Sequence, residues 1–228
     1  MEPCTVLTWN VNQKDRPKSA QAPEDDRVWS AADNAHAIQA EVLRLQPDVV
    51  SLQEWPGEVA ATRLAEQYAL VGAKPGHSAA AGSVHLYVKK TLAATAWDLR
   101  GVPGVACTVR LRGADVAFVA LHLEAGEAGA TRREKHLRSV FEAARAESQT
   151  LVVLGDLNLR DPELVELLRK RGDGIFASRR GLPLQEAAYS RFSWHPQVNR
   201  YSPEEGYASK QAARFDRVLF AGGVFGCA

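Results

Sequence analysis

Cysteine is scarce and poorly placed for pairing: Cys4, Cys107 and Cys227 are odd in number and far apart. That excludes a disulfide framework and any familiar zinc spacing, and favours a reducing compartment. Long apolar runs are missing, so no segment reads as a membrane span. The N-terminus lacks the basic and apolar regions of a secretion signal. An excess of either charge is missing too, with 28 Lys and Arg against 27 Asp and Glu. Coating of nucleic acid through bulk charge is therefore excluded, while a local basic patch is not. There are no repeats and no low-complexity stretches. His36, His77, His85, His136 and His195 show no metal-ligand spacing. These absences leave the expectation of an intracellular protein, nuclear or cytoplasmic or both, without a membrane partner.

A large apolar share is present: 46% of 228 residues, enough for a substantial core. Apolar and β-branched runs predict strands over Thr5–Val11, Val49–Gln53, Ser83–Val88, Val105–Leu111, Val116–His122, Leu151–Gly155 and Phe215–Phe220. Ala35, Ile38, Val42 and Leu45 recur at helical spacing before Pro47. Leu137, Val140, Phe141 and Ala144 mark a second amphipathic helix, and the charge run over 130–138, ATRREKHLR, reads as its solvated face. Asp161 reads as an N-cap, with Pro162 as first helical residue and Glu163 as first-turn acid. The polar stretch Gln13–Asp26 reads as a surface loop. Strands in succession in the middle, with helices towards both ends, predict a layered α/β domain over residues 1–228.

Polar residues collect where these strands end. Asn10 closes one and Glu54 another; His122, with Glu124 beyond it, closes a third. Asp156 and Asn158 follow the run LVVLG, and Asp216 begins the last strand. Asp156 and Asn158 are two apart, so an extended chain would turn them to the same side. Each has a plain reading as well. Glu54 could be a solvated strand terminus, Asp156 and Asn158 turn residues after Gly155, and His122 a hydrogen-bonded core histidine. Asp216 could pair with Arg214, Trp194 could pack in the core, and Arg160 could pair with a nearby acid.

Taken in order, Trp9-Asn10, Gln53-Glu54, Leu121-His122-Leu123-Glu124, Gly155-Asp156-Leu157-Asn158 and Arg214-Phe215-Asp216-Arg217 resemble the endonuclease/exonuclease/phosphatase superfamily, from Thr8 to Phe220. The Leu159-Arg160-Asp161 tail, the Ser193-Trp194 pair and the Phe in Arg-Phe-Asp-Arg are most similar to its type 2 tyrosyl-DNA phosphodiesterase branch. The resemblance implies a DNase I-like, four-layer sandwich of two sheets flanked by helices. It implies hydrolysis of a phosphate ester with Mg2+, or Mn2+, held by Glu54. Asp156 would orient and deprotonate the attacking water; Asn10, Asn158 and His122 would donate to phosphoryl oxygens or hold neighbouring carboxylates. Asp216 would orient a later histidine, and Arg160 and Trp194 would contact substrate. The implied substrate is nucleic acid with a 5′-phosphotyrosyl end, in DNA repair.

One element of the family pattern is absent. A Ser-Asp-His motif should follow the Arg-Phe-Asp-Arg strand, and the chain carries none. The expectation is a fragment cut before its last strands; a degenerate member that binds without efficient turnover is the alternative. Other superfamily activities stay open beside the tyrosyl-DNA one: apurinic endonuclease, deadenylase, and inositol or sphingolipid phosphodiesterase. A silent module that binds DNA ends or proteins is the reading from another class.

Overall fold

The structure is a computed structural model and describes residues 4–11, 31–55, 61–75, 83–148, 150–169, 184–187 and 216–222. Among the described residues, ten strands run in chain order: β1 Val6–Asn10, β2 Val49–Trp55, β3 Tyr68–Pro75, β4 Ser83–Lys89, β5 Ala94–Trp97, β6 Gly104–Leu111, β7 Ala114–His122, β8 Thr150–Asp156, β9 Leu184–Glu186 and β10 Asp216–Ala221. The α-helices described among them are α1 Ala31–Leu45, α2 Ala61–Gln67, α3 Ala130–Glu147 and α4 Asp161–Arg169. The strands form two mixed sheets, one ordered β1-β2-β4-β3 and the other β5-β6-β7-β8-β10-β9.

Alternation along the strands builds three apolar layers. Val84, Leu86 and Val88 of β4 meet Val116, Phe118 and Ala120 of β7 between the sheets. The opposite face of β7, Ala117, Val119 and Leu121, packs with Leu137, Val140 and Phe141 of α3 and Leu164 and Leu167 of α4. On the far side, Val50, Leu52 and Tyr87 pack with Ile38 and Val42 of α1 and Leu64 of α2. The result is the expected helix–sheet–sheet–helix sandwich. At about 25 cal/mol per Å² of apolar surface removed from water, such layers dominate stability.

Every predicted strand is present, with ends shifted by a residue or two; Phe215 lies outside the described residues. β2 runs two residues beyond Gln53, through Glu54 to Trp55. β3, β5, β9 and α2 were not predicted. β3 carries no clean alternation, β5 and β9 have four and three residues, and the seven-residue α2 depends on α1 for its cap. Buried Gln39 of α1 accepts from the backbone N–H groups of Arg63 and Leu64 through Oε1, two donors a short helix leaves open. The loop expected over Gln13–Asp26 lies outside the described residues.

Two local expectations are corrected. Asp161 is not the N-cap: the Leu164 N–H donates to the Arg160 carbonyl, so α4 begins with Asp161 inside it. The ATRREKHLR run is not wholly solvated, because Arg133 is fully buried. Its guanidinium is matched by Glu163 and two backbone carbonyls, which removes the cost of burying an unpaired charge.

Candidate active site

Among the described residues, two strand pairings are parallel, β1 with β2 and β7 with β8. A parallel pair needs a crossover, supplied here by α1 and α3. Each crossover brings two carboxyl ends to one edge of its sheet: Asn10 and Glu54 in one, His122 and Asp156 in the other, where His122 and Asp156 lie directly across from each other. β10 runs antiparallel to β8, so its first residue, Asp216, falls opposite Asp156.

Asn10 joins the two sheets at this edge. Its Nδ2 donates to Asp156 Oδ2 at 2.8 Å and to Glu54 Oε1 at 3.1 Å, and its backbone N–H donates to Asp216 Oδ1 at 3.2 Å. His122 Nε2 lies 3.9 Å from both Glu54 Oε1 and Asp156 Oδ2, within ion-pair reach and too far for a hydrogen bond. Asp156 and His122 are buried, and Glu54 is partly buried beside them.

Backbone geometry aims these groups. Glu54 has φ +54° at a register shift between Leu52 and Trp55. The irregularity turns its carboxylate towards Asn10 at the strand end, as bulges near active sites do. Gly155, before Asp156, has φ +144°, and a Cβ there would lie 1.9 Å from the Leu121 carbonyl oxygen. Only glycine permits that close approach of β8 to β7. Asn158 corrects the extended reading. The strand ends at Asp156, and Asn158 has φ +48°, a left-handed conformation that Asn tolerates. Its backbone N–H donates to Asp156 Oδ1 at 3.0 Å and its Nδ2 to the Leu123 carbonyl at 2.9 Å. A turn closed by the aspartate, in place of the pleat, brings Asn158 back to Asp156 through its backbone.

The structure thus gathers Asn10, Glu54, His122, Asp156, Asn158 and Asp216. Arg160 pairs with Glu127, the plain reading of that residue. Trp194, Ser193 and Arg214 lie outside the described residues. Sequence reasoning passed over the two buried arginines that frame the site. Arg133 grips Glu163, and Arg217 donates to the Leu159 carbonyl at 2.9 Å, Asp161 at 2.7 Å and Glu186 at 2.6 Å. Arg217 had a signal, an arginine before the apolar run VLF; Arg133, inside a charge run, had none.

Among the described residues, no set of three or more His, Cys, Asp and Glu side chains forms a metal cage. The donors that converge are hard carboxylate oxygens, one from Glu54 and one from Asp156. That set fits magnesium, which takes one or two protein carboxylates and keeps waters and substrate oxygens for the rest. Among the described residues, no helix is long and apolar enough to cross a membrane.

The Endonuclease/Exonuclease/phosphatase family matches this chain over residues 7–226. Tyrosyl-DNA phosphodiesterase 2 of Gallus gallus is 25% identical over 229 residues, covering 95% of this chain and 56% of the relative. The chain therefore spans little more than half the length of that protein. The D. rerio tyrosyl-DNA phosphodiesterase 2, in complex with a single-strand DNA product, superposes with a TM-score of 0.67 at 18% identity, covering 96% of this chain and 84% of that one. The endonuclease domain of TRAS1, a telomere-specific non-LTR retrotransposon, gives a TM-score of 0.60 at 13% identity, covering 96% and 85%. The two structures share the fold.

Proposed function

Because the chain belongs to the Endonuclease/Exonuclease/phosphatase family, phosphoesterases that generally use a divalent metal, we propose that it hydrolyses 5′-tyrosyl-DNA phosphodiester bonds in DNA repair. The observation that carries this reading is the Asn10 amide bound to both Glu54 and Asp156, with His122 equidistant from the two carboxylates. The similarity to tyrosyl-DNA phosphodiesterase 2 suggests a nucleic-acid substrate and is the reason the tyrosyl ester is tested first.

Glu54 would hold Mg2+, or Mn2+ with the same preference for oxygen. When bound, the ion neutralises phosphate charge. Asp156, its carboxylate fixed by Asn10 and by the Asn158 backbone, orients a water and takes its proton as oxygen attacks phosphorus. The phosphorus–oxygen bond to tyrosine breaks on the opposite side, leaving a 5′-phosphate. His122 donates from Nε2 to a non-bridging oxygen, so charge building there meets a fixed donor. Asn158 has two amide hydrogens; one holds Leu123 and the other is offered to the phosphoryl group. Asp216 steadies Asn10 through its backbone. Arg160 and Trp194 are proposed to contact the strand. The leaving phenolate has a pKa of about 10, so it departs without a strong general acid.

The test pairs a 5′-tyrosyl oligonucleotide with an abasic-site duplex and a polyadenylated RNA, with magnesium and with Asp156→Asn as the blank. Turnover of the tyrosyl ester, insensitive to base sequence and falling with salt, is expected. Preference for the duplex or the RNA would move the protein to another activity of the family. Blank-level turnover of all three by folded protein would leave a binding module.

A further inference from the structure

The geometry points to Arg133 as a positioning residue that sets the spacing between the histidine and aspartate ends of the site. Arg133 lies near the start of α3 at 0% exposure, while its neighbour Arg132 faces solvent. Its Nη1 donates to the carbonyls of Glu124 and Gly126, each at 2.7 Å. Its Nε and Nη2 take both oxygens of Glu163, with contacts at 3.0, 2.6 and 2.8 Å. One side chain therefore ties α3 to the loop that follows β7 and to the first turn of α4.

The segments between those anchors carry the site. Leu123 follows His122; its N–H donates to the Asp156 carbonyl at 2.9 Å and its carbonyl accepts from Asn158. Glu124, the next residue, is where Arg133 takes hold. Glu163 stands five residues beyond Asn158 on the other side. The chain running from His122 to Gly126 and the chain running from Asp156 to Glu163 are thus bonded directly at Leu123 and clamped just outside by Arg133. A buried ion pair is weak evidence of a stabilising role, because apolar replacements are often neutral or better. Four acceptor oxygens on two segments, held by one side chain of a third, fix relative position, which apolar packing does less sharply. Lysine cannot take this place: one nitrogen on a flexible stem does not span a carboxylate and two carbonyls as a planar fork does.

Only the activity arm of this inference rests on the phosphodiesterase reading; the structural arm stands apart from it. Two variants test it on the full chain. Arg133→Lys removes the fork. Gly129→Ala leaves Arg133 in place but sets a Cβ 2.7 Å from its Nη1 and 3.2 Å from the Glu124 carbonyl oxygen, at a backbone conformation that alanine adopts freely. Amide hydrogen exchange at Leu123 and Asn158 is expected to quicken at least about tenfold in both variants, while buried Val119 and Val153 keep their rates. With a tyrosyl ester, kcat of Arg133→Lys should fall about a hundredfold with KM nearly unchanged, the usual cost of a displacement of about 1 Å. Wild-type protection at Leu123 and Asn158 in both variants overturns the inference. Equal acceleration of every amide overturns it as well, since Arg133 would then stabilise without positioning. If the wild type turns over no ester, the phosphodiesterase reading falls and the exchange data alone decide the role of Arg133.

Discussion

In the crossover β7–α3–β8, the chain beyond each strand is pinned by side chains from elsewhere. Arg133 holds Glu124, Gly126 and Glu163, and Arg217 holds Leu159, Asp161 and Glu186. In β1–α1–β2, the comparable aim is set within the strand, by a left-handed Glu54 at a register shift. That conformation costs a non-glycine residue on the order of 1 kcal/mol. The two halves deliver the same kind of product, two polar strand ends, by different physics. One adds charged hydrogen bonds among loops to the turn at Gly155 and Asn158, the other has backbone shape supported by an apolar layer under α1. The second should be sensitive to whatever loosens that layer, and the first to whatever removes a guanidinium.

The largest difference should appear in activity. Asp156→Asn, in the clamped half, is expected to lower kcat by about a hundred- to ten-thousand-fold while the protein stays folded; the new amide keeps one oxygen acceptor for the two donors that Asp156 now satisfies, Asn10 Nδ2 and the Asn158 N–H. Glu54→Gln, in the bulged half, should also lose activity but differ in magnesium calorimetry. Metal affinity should fall by at least the about ten- to hundredfold seen when outer partners of metal ligands are lost, while Asp156→Asn changes it less. Identical isotherms for wild type and Glu54→Gln would remove Glu54 from the metal.

Next comes the clamp itself. Arg217→Met removes a 3% exposed guanidinium from Glu186, Asp161 and the Leu159 carbonyl. Urea unfolding should show a loss of about 3 kcal/mol, the low end for breaking a buried pair, since Asp161 keeps its access to water. A loss below 1 kcal/mol would mean that the turn holds itself.

The smallest effect should come from His85, on β4 beside β2 in the bulged half. It is 3% exposed and its Nε2 has no hydrogen-bond partner among the described residues. Burial pushes its pKa down to about 4, against about 6.5 when unfolded. The imidazole is therefore neutral in the folded protein where the unfolded chain already binds a proton. The stabilisation is complete above pH 6.5 and declines as pH falls towards 4, by at most about 3 kcal/mol. Arginines stay charged throughout. Denaturant midpoints of wild type and His85→Phe between pH 7 and 4.5 should diverge, with the variant losing less in acid. Parallel curves would show that His85 does not titrate in this window.

The sequence by itself determined the long strands other than β3, together with α1, α3 and the rim residues, because periodicity is a local property, which β3 lacks, and because a polar residue ending an apolar run is visible without coordinates. It placed Asn10, Glu54, His122, Asp156 and Asp216 each at its strand end. Only the tertiary structure decided what depends on a partner distant in the chain. Neither β5 nor β9 is long enough to signal itself, and each exists through its pairing, with β6 and β10 respectively. α2 takes its cap from Gln39 of another helix. Arg133 looked solvated within a charge run because burial of a guanidinium is settled by the carbonyls and carboxylate that close around it, 7 to 30 residues away. The same reason governs Asn10: its amide means little until two sheets pack and bring Glu54 and Asp156, 44 and 146 residues distant, within reach of one nitrogen.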